Sequence, residues 1–89
     1  MLPHSVPKRL KQFEAAQESY DRVIEIEPDD AMAYYNKACC YGLQEQIDLA
    51  IDTLQHSITL YSENRELAKT DSDFDGIRDD ERFQAVVGE

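Results

Sequence analysis

Apolar positions recur at helical spacing in three successive stretches of the chain. In the first, Leu10, Phe13, Ala16, Tyr20, Val23, Ile24 and Ile26 fall mostly three or four apart, which predicts a helix from Pro7 or Arg9 to Glu27. Pro28 disfavours the helical conformation at Glu27 and ends the run. Asp29 and Asp30 follow, and either side chain can cap the next helix by accepting from an orphan backbone N–H. The second helix is predicted over about Ala31 to Leu43, with Tyr34, Ala38 and Tyr41 as its central stripe and Gly42 weakening its end. The third, roughly Gln46 to Tyr61, carries Ile47, Ala50, Ile51, Leu54, Ile58 and Tyr61, a stripe wide enough to face a core. Beyond the break at Ser62, Glu63 and Asn64 the pattern shortens. A helix from Asn64 to Lys69, a loop TDSDFDGIR, and a last helix from about Asp80 to Val87 capped by Asp79 are expected. Phe74, Ile77, Phe83 and Val86 are the residues that would anchor this tail to the third helix.

The pattern also repeats. Phe13 aligns with Ile47, Ala16 with Ala50, Tyr20 with Leu54, Ile24 with Ile58 and Ile26 with Leu60, all at one offset of 34 residues. A fixed period of this length marks stacked helical hairpins, which bury their apolar faces only against neighbours. The fold expected is all-α, with antiparallel hairpins stacked as a short right-handed solenoid. Four parts are read along it: a loose leader over 1–9 containing Pro3 and Pro7, the second helix of a truncated unit over 10–30, a complete hairpin over 31–64, and a C-terminal cap over 65–89. Such a fold points to a binding scaffold rather than an enzyme.

Charge narrows the partner class. Nine basic against nineteen acidic residues give a net charge of −10. Nucleic acid needs a basic footprint and anionic lipid repels such a surface, so neither is expected. No apolar run reaches bilayer-spanning length, and MLPHSVPKRLK lacks the apolar core of a signal peptide, which points to the cytoplasm. Cys39 and Cys40 are adjacent and fit reduced thiols that pack as small residues. They and His56 lack zinc-site spacing. His4 lies in the leader, and His56 is expected at the surface. No phosphate loop or sequence-adjacent nucleophile and base appears, so no cofactor and no reaction are assigned.

From Lys11 to Asn64 the sequence resembles the tetratricopeptide repeat family. The residues that carry the likeness are Tyr34, Ala38, Tyr41, Ala50, Leu54 and Ser57 in one complete repeat, and Ala16, Tyr20, Val23 and Pro28 in the half repeat before it. Alanine where two helices cross lets them approach closely, and the aromatic one turn away fills the wedge. Lys37 stands where the family usually has leucine, and Ser62 replaces its proline. The tail LAKTDSDFDGIRDDERFQAVVG is similar to a capping segment that follows such repeats in many bacterial proteins. The resemblance implies a concave groove that holds a peptide, with Met32, Tyr35, Asn36, Cys39 and Leu43 pointing into it. Arg65 and Lys69, one turn apart, would face the same groove and pair with an acidic peptide or a C-terminal carboxylate. Solenoids usually need three or more units. With about one and a half repeats, the chain is expected to continue a longer array or to pair with a second copy.

One motif offers different chemistry. Asp71, Asp73, Asp75 and Asp79, with Gly76 among them, begin like a calcium-binding loop. Arg82 occupies the position where a bidentate glutamate is needed, and Phe74 interrupts the loop. The alternative is a capping loop whose aspartates bond local backbone N–H groups while Phe74 and Ile77 pack inward.

Overall fold

The computed structural model describes residues 8–88, with side-chain surroundings from residue 11 onward. Of the expected leader, residues 1–7, including His4 and the expected helix-opening Pro7, lie outside the described residues, whereas Lys8 and Arg9 belong to α1. Five α-helices follow: α1 (Lys8–Ile26), α2 (Ala31–Leu43), α3 (Ile47–Leu60), α4 (Asn64–Thr70) and α5 (Glu81–Gly88). A 3₁₀ helix, Ser72–Ile77, stands between α4 and α5, where the sequence suggested a loop, and Phe74 and Ile77 pack inward. Among the described residues there is no strand, and the chain is all-α as expected.

The stops are those written in the sequence. α1 ends just before Glu27 and Pro28, and Asp30 caps α2, accepting from the Ala33 N–H at 3.0 Å. The turn from α2 to α3 places Glu45 at φ 57°, a left-handed residue without glycine's freedom. The cap of α5 differs from expectation by one residue. Asp80, not Asp79, accepts from the Arg82 N–H at 2.8 Å, and the adjacent Arg82 guanidinium holds the Asp80 carboxyl below its usual range.

Packing follows the repeat. α2 lies against α1 on one side and α3 on the other, and α4 and α5 close the far side of α3. The crossing of α2 with α3 is built on Ala38, Ala50 and Leu54, all fully buried. The two alanines let the backbones approach, and the core fills with Leu54, Ile51, Ile58, Phe74, Ile77 and Phe83. Lys37, at the position where leucine was expected, bonds Asp21 of α1 at 2.7 Å and lies over the Tyr41 ring. Burial presses its ammonium toward neutrality, and the Asp21 carboxylate more than reverses that, so its pKa sits above the ordinary value. His56 is exposed, as expected, and stacks on Tyr34 with ring centroids 4.0 Å apart.

Candidate functional site

Helical spacing puts Met32, Asn36, Cys39 and Leu43 on one side of α2, with Tyr35 beside them. The structure divides this set. The 3₁₀ helix runs along α2 from Tyr35 to Gly42 and covers part of it. Tyr35 Oη donates to Asp71 Oδ2 at 2.7 Å, and Cys39 Sγ approaches the same oxygen at 3.8 Å. Asp71 Oδ1 accepts from the Asp73 N–H at 2.9 Å, so one carboxylate caps the 3₁₀ helix and ties it to α2. The Phe74 ring meets Tyr35 edge-on at 5.8 Å and Phe83 at 5.4 Å. Tyr35 and Cys39, expected to face an open groove, are 3% and 7% exposed. The correction has a physical cause: a tyrosine that buries its ring against Phe74 while its hydroxyl reaches a carboxylate is better satisfied under the tail than in water.

The electrostatics of this corner follow from burial. The Tyr35 hydroxyl is raised far above its ordinary pKa by burial and then by its bond to Asp71. The Cys39 thiol is raised by burial and then by the Asp71 and Asp73 carboxylates. It is a thiol at neutral pH, not an activated nucleophile.

The rest of the face is open. Met32 and Leu43 are exposed, and Asn36 is half-buried with no hydrogen-bond partner among the described residues. Tyr20 of α1 is half-buried, and its hydroxyl pKa is raised by burial first and then by Cys40, Cys39 and Asp73. Met32 and Leu43, with half-buried Asn36 between them, thus form an open strip along α2.

The two basic residues expected to face a groove are engaged elsewhere. Arg65 Nε donates to the Val86 carbonyl at 3.1 Å, fastening α5 to α4, and Lys69 pairs with Glu66 at 2.9 Å.

The calcium reading fails on geometry. Asp71 already serves Tyr35 and the 3₁₀ cap, Asp75 pairs with Arg78 at 3.0 Å, and Phe74 turns inward between them. Among the described residues the metal-type donors that converge are Cys39, Asp71 and Asp73, within 4.8 Å of one another; Asp75 and Asp79 are not among them. A buried, protonated thiol is no ligand for a cation that takes oxygen. Arg78, which sequence reasoning passed over, holds the loop: its guanidinium donates to the carbonyls of Asp71 and Lys69, each at 2.6 Å.

Comparison with known proteins agrees with the geometry. Residues 19–52, from the middle of α1 into α3, match the tetratricopeptide repeat family. The chain is also similar to the Hsp70-Hsp90 organising protein of Plasmodium falciparum (isolate 3D7), 36% identical over 50 residues, which is 56% of this chain and 9% of that protein. The chain thus spans less than a tenth of that relative's length. No solved structure matches. No helix among the described residues is long and apolar enough to cross a membrane.

Proposed function

We propose that this chain is a tetratricopeptide-type interaction module, non-catalytic, that holds an extended segment of a partner protein along the open strip of α2. The observation that carries this reading is Asn36: a half-buried amide without a partner among the described residues, set between exposed Met32 and Leu43 on the face that the repeat leaves uncovered. An amide donates and accepts at once, which suits the alternating N–H and C=O groups of an extended backbone. Asp73, whose carboxylate lies beside Cys39 of α2, favours a segment bearing lysine or arginine. The buried thiols Cys39 and Cys40 fit a reducing compartment such as the cytoplasm.

Selection from a random peptide library on the immobilised chain tests the reading. The selected peptides should carry lysine or arginine, and Asn36→Ala should weaken them about tenfold, the loss expected for bonds to a peptide backbone. Helicity by circular dichroism should not change. Peptides that bind Asn36→Ala and Met32→Ala as well as the parent would place recognition elsewhere.

A further inference from the structure

Three donors of metal-binding type meet where the 3₁₀ helix packs on α2. They are the Cys39 thiol and the carboxylates of Asp71 and Asp73, with one atom of each within 4.8 Å of the others. A tetrahedral zinc ion holds sulfur at about 2.3 Å and oxygen at about 2.0–2.2 Å, which sets neighbouring ligand atoms about 3.4–3.6 Å apart. Cys39 Sγ stands 3.8 Å from Asp71 Oδ2, close to that spacing. Two further observations point to a cation. Cys39 is buried, and its thiol has no partner outside this pair of carboxylates among the described residues. Neither carboxylate is in an ion pair with a described residue. The Arg78 guanidinium goes to the Asp71 carbonyl and the Asp75 carboxylate instead. Two negative charges beside a buried sulfur thus lack a counter-charge.

We propose that Cys39, Asp71 and Asp73 bind a sulfur-seeking divalent cation of the zinc or cadmium class, with water completing the coordination. Burial, and then the two carboxylates, keep the free thiol protonated. The same carboxylates draw a cation, which takes the sulfur as thiolate while the thiol proton passes to solvent. Asp71 Oδ2 accepts from Tyr35 Oη with one lone pair and keeps another for the metal, so the phenol orients the ligand. Calcium differs in needing six or more oxygens, which this group does not supply. The bound ion adds a second link between the 3₁₀ helix and α2, beside the Tyr35–Asp71 bond. The site does not rest on the peptide reading, whose observation is Asn36.

Cadmium titration of the full chain, read by thiolate-to-cadmium absorption in the ultraviolet, tests the site. Cys40→Ser is the background, since it leaves Cys39 as the only thiol, and its circular dichroism should match the parent. One equivalent of cadmium should saturate the band, and excess zinc should displace it. Adding Asp73→Asn should weaken cadmium about tenfold or more, because loss of even an outer-shell partner of a metal site costs that much. Asp75→Asn, outside the group, should bind like the background. Cys39→Ser, which keeps Cys40, should give no band that saturates at one equivalent. Zinc should raise the unfolding temperature of the Cys40→Ser chain and leave that of its Asp73→Asn derivative unchanged. No band at millimolar cadmium would overturn the proposal. So would equal affinity in the Asp73→Asn and Asp75→Asn variants, which would mark an adventitious ion only, held by sulfur alone.

Discussion

Asp71 does three tasks with two oxygens. It caps the 3₁₀ helix, accepts from Tyr35, and receives the Cys39 thiol. Tyr35→Phe keeps the ring against Phe74 and removes one charge-assisted bond, so it should cost about 1–2 kcal/mol in chemical denaturation. A loss near zero would show that water replaces the hydroxyl without cost. The residue types here were legible in the sequence; their pairing was not, because Tyr35 and Asp71 are separated by 36 positions. Asp30 is the opposite case. Its cap bond is local, and the sequence named it correctly as one of two candidates. Gln17, 34 positions before buried Ile51, has a shielded amide nitrogen with no hydrogen-bond partner among the described residues.

At the scale of elements, α2 and the 3₁₀ helix are held together at Gly42. A Cβ there would lie 2.9 Å from the Phe74 ring and 3.0 Å from the Asp73 carbonyl, and the fully buried Phe74 has no room to yield. Gly42→Ala should therefore lift the 3₁₀ helix from α2 and cost about 1–3 kcal/mol, despite alanine's better helix propensity. Faster modification of Cys39 by a thiol reagent would report the lifting; an unchanged rate would contradict it. Periodicity gave the number and order of the long helices because each has its own apolar stripe. It left the segment after α4 as a loop, since a six-residue 3₁₀ helix has no stripe of its own and exists by docking Phe74 and Ile77 into a core made by others. It also read Gly42 as a weak helix end, when the missing side chain is what admits Phe74.

For the whole molecule, the buried acids set a pH limit. The pKa values of Tyr35, Cys39, Tyr20 and Cys40 are all raised in the fold. A raised value means that the folded state keeps the proton after the unfolded state has released it. The stabilisation is complete below the ordinary thiol value of 9.0; its loss begins there and, for the tyrosines, at 10.0, and continues as pH climbs toward the raised values of the folded state. Thermal unfolding should thus hold steady from neutrality to about pH 8.5 and fall steeply above it. The fall should be shallower in Tyr35→Phe, and a flat profile to pH 11 would refute the account.

The 34-residue period, the helix stops and the alanines at the crossing settled the all-α architecture without reference to space, because each acts within a turn or a single helix. What only the folded chain decided is which side of α2 remains open. The tail returns over Tyr35 and Cys39, Arg65 and Lys69 are drawn into bonds with Val86 and Glu66, and Met32, Asn36 and Leu43 are left open. Contacts between residues far apart in the chain carry no periodic signal, and they determine which side chains stay exposed.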